Sequence, residues 1–166
     1  MKRIAIRRLS AAVSVLIALA LGSPIASAAD ADDVRAVVDQ YLATEGDLGS
    51  QAKLMTDDRS FIAGGFRQTN NVRNMENQMA AARRNYRLDP NTRLSVSGED
   101  IIVRVIGDDA AVVSLYRFWT VLASADSVRE GRNPQGPPND AVTLVLAKTG
   151  GDWKIVHTHQ SPIGGN

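Results

Sequence analysis

The sequence predicts an α+β fold in which helices pack on one face of a curved sheet. Three observations carry this. Apolar residues recur at helical spacing through the front half of the chain, the spacing changes to two from Thr92 onward, and glycine-bearing turns divide that second stretch into strands. Helices first and strands afterwards is the order of an α+β domain with its helices segregated to one side.

Residues 1–28 read as a secretory leader. Lys2, Arg3, Arg7 and Arg8 form a basic start, residues 11–21 are apolar apart from Ser14, and Ala26-Ser27-Ala28 is a small-x-small cleavage site. The apolar run is well short of the roughly 20 residues that span a bilayer. The expectation is cleavage after Ala28, export to the periplasm or outside the cell, and no membrane attachment for the remaining domain, residues 29–166. The whole chain has 19 basic and 18 acidic residues. Removing a leader that holds bases and no acids leaves a net acidic domain, so a nucleic-acid partner has no electrostatic basis. The chain contains no Cys, so its stability rests on packing rather than disulfides.

Residues 30–43 form the first predicted helix, with Val34, Val37, Val38, Tyr41 and Leu42 on one stripe. Asp30, Asp32 and Asp33 sit at its start, where carboxylates suit the free N–H groups and the dipole, and Gly46 ends it. A short second helix is expected over residues 48–55, with Asp57 and Asp58 in a turn. Residues 60–63 read as a short strand before the Gly64-Gly65 turn. A third helix is expected over 71–86, with Val72, Met75, Met79, Ala82 and Tyr86 on one side. Arg83, Arg84 and Arg87 near its end read as solvated charges rather than an anion site.

Residues 93–97 and 101–106 read as one strand interrupted by a bulge at Gly98. Gly107-Asp108-Asp109 signals a tight hairpin into a long strand over 110–122. Residues 124–139, rich in Gly and Pro, read as a loop. Strands over 141–148 and 153–160 close a second hairpin. Along 110–122 one face carries Ala111, Val113, Leu115, Arg117 and Trp119, the other Ala110, Val112, Ser114, Tyr116 and Phe118. Neither is polar enough for a solvated face, so a second copy of the chain is the expected partner, as a homodimer or larger assembly.

The stretch Val103-Arg104-Val105-Ile106-Gly107-Asp108-Asp109-Ala110-Ala111, running on to Tyr116-Arg117, resembles the association domain of calcium/calmodulin-dependent protein kinase II. So does the ending Gly151-Asp152-Trp153-Lys154-Ile155-Val156-His157-Thr158-His159-Gln160-Ser161. The front half, Val37-Val38-x-x-Tyr41, Gly46-Asp47-Leu48 and Asp57-Asp58, is similar to small isomerases of the ketosteroid type. These belong to the nuclear transport factor 2-like superfamily, which includes SnoaL-type polyketide cyclases. The resemblance covers nearly all of residues 30–162. It implies a cone-shaped fold of three N-terminal helices on a strongly curved mixed or antiparallel sheet, a pocket inside the cone, and dimers formed through the outer sheet face.

The resemblance also implies site residues. Tyr41 matches the isomerases' oxyanion donor, but Ala63 stands where they carry the carboxylate base. Arg117 matches one pocket arginine of the kinase domain, and Leu144 and Gln160 replace two others. Arg117 can therefore serve either a ligand or an internal ion pair. His157-x-His159 places two rings on one strand face, about 7 Å apart. They are the only histidines in the chain, and with no carboxylate placed to join them they read as interface or sheet residues rather than a metal site. Strand alternation puts Trp153, Ile155, His157 and His159 on one face and Lys154, Val156, Thr158 and Gln160 on the other, and by the resemblance the second set faces the pocket. There is no nucleophile elbow and no glycine-rich phosphate loop, and no cofactor or metal is expected.

The expected pocket is mainly apolar and lined by Tyr41, Arg117, Trp119, Val156, Thr158 and Gln160. Its ligand would be a small apolar or weakly anionic molecule. Three functions fit: a binding protein without chemistry of its own, a lyase, isomerase or cyclase acting on an apolar carbonyl compound with Tyr41 as donor and either His157 or a residue not yet placed as base, or an assembly module.

Overall fold

The computed structural model describes residues 23–88, 91–132 and 136–164. The expected leader over residues 1–28 lies mostly outside them. Helix α1 spans Ser23–Ala43. It starts upstream of the expected residue 30 because Pro24 falls in the first turn, where an N–H has no intrahelical acceptor to lose. Val34, Val38, Tyr41 and Leu42 form its buried stripe. Asp47 caps α2 (Leu48–Ala52) by accepting from the Ser50 backbone N at 3.2 Å. This helix stops before residue 55, because Met55 opens strand β1 (Met55–Ala63) beside Ile155.

Strand β1 corrects two expectations. It is longer than residues 60–63, and Asp57 and Asp58 lie exposed within it rather than in a turn. A register shift between Met55 and Ser60 lets the segment run on without strict pairing. Strand β2 (Phe66–Gln68) folds back on it through Gly64 and Gly65, whose φ angles of 55° and 80° suit glycine. Three residues are too few for period-two patterning to reveal. Helix α3 (Asn71–Leu88) follows close to its expected place.

Strands β3 (Arg93–Ile106) and β4 (Ala110–Leu122) form the long hairpin. A fourth helix, α4 (Ala125–Arg129), stands in the segment read as loop, so the helices are not confined to the N-terminal half. Ser124 caps it by accepting from Ser127 N. At five residues it is too short to show a stripe. Strands β5 (Asp140–Thr149) and β6 (Asp152–Pro162) close the chain. The sheet is six-stranded and mixed, in the order β2-β1-β6-β5-β4-β3, with β1 and β6 parallel and the remaining pairs antiparallel. The parallel pair joins the front of the chain to its last strand.

The irregularity of β3 falls between Glu99 and Ile102, where Asp100 has φ 50°, and not at Gly98. Gly98 serves a different purpose: a Cβ there would lie 2.6 Å from Leu42 Cδ1, so the glycine lets α1 approach the sheet. A second shift, between Val145 and Leu146 of β5, pairs Val145 with His157 and Leu146 with Ile155. Val156 is the extra residue. The bulge breaks strict alternation, so Trp153 and Ile155 share the inner face with Thr158 and Gln160, and His157 and His159 point outward. This overturns the expected division of β6 into faces.

The core lies between the helices and the inner face of β4, β5 and β6, where Val34, Val113, Leu144, Leu146 and Ile155 are fully buried. Ile102, Ile106 and Tyr116 are exposed on the opposite face. Among the described residues no helix is long and apolar enough to cross a membrane.

Candidate functional site

A cavity of about 350 Å³ opens at the end of the sheet where β1, β4 and β6 meet the C-terminus of α1. That volume lies within the range of small-molecule sites, roughly 300–1,000 Å³. Its centre is Arg117. On β4 the inner face runs Leu115, Arg117, Trp119, and β4–β5 register sets Arg117 opposite Asp140. Directly opposed residues are close enough to interact across strands. Here the guanidinium forks onto the carboxylate, Nε to Oδ1 at 2.9 Å and Nη2 to Oδ2 at 2.6 Å. Nη1 donates to the Tyr41 hydroxyl at 2.9 Å and also to the Glu45 carboxylate. The guanidinium also lies 4.8 Å from the centroid of the Trp119 ring.

Tyr41 ends the apolar stripe of α1, and Glu45 follows one turn later, just past the helix. Gln51 of α2 donates to the Tyr41 backbone carbonyl at 3.0 Å, satisfying one of the last acceptors of α1. The Tyr41 hydroxyl accepts from Arg117 and from Gln160 Nε2 at 3.3 Å. With both lone pairs engaged, its proton is left to donate. Burial, with Glu45 adding to it, holds the phenol above its ordinary pKa, so it stays protonated. Burial likewise pushes the Glu45 carboxyl above the usual carboxylate range; Arg117 and a hydrogen bond from Gln51 oppose the shift, and Asp140 adds to it.

A second arginine stands on the wall formed by β1. Arg59, Phe61 and Ala63 alternate onto the inner face and line the cavity. Arg59 is only 2% exposed. Its Nε donates to Asn71 Oδ1 at 2.9 Å and its Nη1 to Thr158 Oγ1 at 2.9 Å. Burial lowers its pKa from the ordinary arginine value.

Of the residues expected at the pocket, Tyr41, Arg117, Trp119 and Gln160 line the cavity. Thr158 is fully buried behind the wall, holding Arg59. Val156, displaced by the bulge, is not among the lining residues, and Leu144 is in the core. The cavity is not mainly apolar, since two arginines, two carboxylates and a tyrosine stand around it. His157 faces away from it, with Nδ1 2.6 Å from Ser60 Oγ of the neighbouring strand. His159 is exposed, its Nε2 3.4 Å from Ser161 Oγ. Among the described residues no group of three or more His, Cys, Asp or Glu gathers into a possible metal site.

Sequence reasoning missed Glu45, Arg59 and Asp140. Glu45 lies four residues beyond Tyr41, one helical turn, and that spacing was a usable signal. Asp140 falls between the expected loop, 124–139, and the expected strand, 141–148, and nothing local marks Arg59 as buried.

The family model for a SnoaL-like domain matches residues 34–164. No curated protein is significantly similar to the chain in sequence. Among solved structures, a candidate ketosteroid isomerase from Shewanella frigidimarina superposes with a TM-score of 0.55 at 19% identity, covering 76% of this chain and 92% of that one. A candidate dehydratase of the NTF2-like family from Streptomyces avermitilis gives 0.60 at 18% identity, covering 83% and 99%. An NTF2-like protein of unknown function in nutrient uptake from Rhodospirillum rubrum gives 0.59 at 23% identity, covering 80% and 100%. These similarities are similarities of fold.

Proposed function

This chain belongs to the SnoaL-like domain family, and from that premise we propose that it binds a small oxygen-bearing organic molecule in the cavity beside α1. The observation that carries the reading is the Tyr41 hydroxyl. It is buried, held by two donors and kept protonated, which leaves one proton for a ligand carbonyl or hydroxyl. Phe61, Trp119 and nearby prolines supply apolar walls for the ligand body. Titration of the ¹⁵N-labelled protein with small cyclic ketones and alcohols tests it. The expected result is shifts confined to Gln160 and the residues around Tyr41, weakened in Tyr41→Phe. Shifts confined to the outer sheet face would overturn it.

Glu45 favours a second reading, proton transfer on the bound molecule by a lyase or isomerase. A carboxyl held above the usual carboxylate range by burial, standing on the cavity with a phenol donor, is a serviceable acid–base pair. It takes the place of the base absent at Ala63, whereas His157 points away. Structural relatives described as a candidate isomerase and a candidate dehydratase lend support. Exchange of protons beside a ketone carbonyl in D₂O, followed by NMR, tests this reading: the wild type should exceed buffer and Glu45→Gln should not. Exchange equal to buffer would remove the enzymatic reading and leave binding intact.

Export and pairing are part of the same proposal. The basic, apolar and small-x-small order of residues 1–28 supports a leader. Ile102, Ile106 and Tyr116 on the outer sheet face support a homodimer.

A further inference from the structure

We propose that Arg59 anchors a carboxylate of the bound molecule, so that the ligand is a small organic acid; this rests on the reading of the cavity as a small-molecule site. The two arginines at the cavity differ in what they have left to offer. All three nitrogens of Arg117 are committed, two to Asp140 and one to Tyr41 and Glu45. Arg59 is as deeply buried, yet its hydrogen-bond partners are Asn71 and Thr158, both neutral. Its Nη2 is buried with no hydrogen-bond partner.

A buried cation without a counter-charge is costly, and a buried donor left unmade costs about as much as the desolvation of that group. Native structures hold few such groups, and each calls for an explanation such as a ligand or ion. The guanidinium remains charged even with its proton affinity lowered. Glu45 and Tyr41 act on Arg59 electrostatically without bonding it, and Glu45 is already held by Arg117.

The neighbouring orphan agrees in sign. Trp119 Nε1, also on the cavity wall, is a buried donor without an acceptor. With the Tyr41 proton, the open hydrogen-bonding capacity of this wall is on the donor side. A ligand rich in acceptors fits it, and a carboxylate supplies both the acceptors and the missing negative charge. Phe61, 5.1 Å from the Arg59 guanidinium, covers one face of that cation and lines the cavity beside it.

The test uses the chain labelled with ¹⁵N-arginine and a matched pair of probes, cyclohexanecarboxylate and cyclohexanecarboxamide. The carboxylate should bind at least about tenfold more tightly than the amide and should shift the Arg59 Nε–Hε signal. Arg59→Lys keeps the charge but loses the fork, and should weaken the carboxylate more than the amide. Arg59→Gln should abolish the preference. If that variant does not fold, the wild-type comparison and Arg59→Lys decide the question. Equal binding of the two probes at the cavity, or an undiminished preference in Arg59→Lys together with no shift of the Arg59 signal in the wild type, would overturn the anchor and leave the cavity reading standing. Failure of both probes and of the neutral ketones to bind would overturn the two together.

Discussion

Arg117 and Asp140 face each other across the β4–β5 ladder, joined by two parallel hydrogen bonds of 2.9 and 2.6 Å with both side chains buried. This fork turns a cation that would be intolerable on an apolar strand face into the fixed centre of the cavity. It also holds Arg117 where Nη1 reaches Tyr41 and Glu45 together.

Removing Asp140 therefore leaves two Arg117 nitrogens unpaired inside the protein, with Glu45 as the remaining counter-charge. Asp140→Ala should destabilise the fold by about 3–5 kcal/mol in urea unfolding. The double variant Arg117→Met/Asp140→Leu should recover much of that loss, because Glu45 can then keep its proton. A double variant no more stable than Asp140→Ala would show that packing, not the stranded charge, sets the cost.

Glu45 makes stability depend on pH. Its native pKa is raised above the ordinary 4.5, so the folded state holds the proton more tightly than the unfolded chain. Stability is lost as pH rises above 4.5 through the native value. Urea midpoints measured across this range should fall with rising pH in the wild type relative to Glu45→Gln. Parallel profiles would place the carboxyl in water.

The sign reverses for His157. Burial lowers its pKa from 6.5, with His159 and Arg59 adding to the shift. As pH drops below 6.5 the unfolded chain takes up the proton first, and stability declines until the folded ring titrates too. NMR titration of the ring protons should give a midpoint below 6.5, and Ser60→Ala should alter it because Ser60 Oγ touches Nδ1. A midpoint at or above 6.5 would contradict the outward but half-buried placement.

Gly98→Ala should cost about 1–3 kcal/mol by overpacking. Its Cβ would meet Leu42 Cδ1 at 2.6 Å and Ile101 Cδ1 at 3.1 Å, both ends of flexible side chains that can shift at some expense. Because Gly98 pairs with Arg117, the strain falls beside the cavity, and thermal unfolding should show a lowered midpoint. An unchanged midpoint would mean that α1 sits farther from β3.

Much of this molecule was legible in its sequence. The stripe Val34, Val38, Tyr41 and Leu42 repeats with helical period, and the inner row Ala111, Val113, Leu115, Arg117 and Trp119 repeats with period two. Each reports burial from neighbours only a few positions apart. Hence the order of the main elements, the apolar stripe that holds Tyr41 and the shared face of Leu115, Arg117 and Trp119 followed from local spacing, and the resemblance implied that Arg117 faces the pocket. Tertiary structure alone decided the rest. The extra residue Val156 reverses the faces of β6 and turns His157 away, although nothing in the local sequence marks a bulge there. Arg59 and Thr158 meet because β1 pairs in parallel with the last strand, Asn71 joins them from the start of α3, and Asp140 reaches Arg117 only through the β4–β5 register. These partners are far apart along the chain, so their complementarity of charge and hydrogen bonding leaves no periodic trace for a sequence to display.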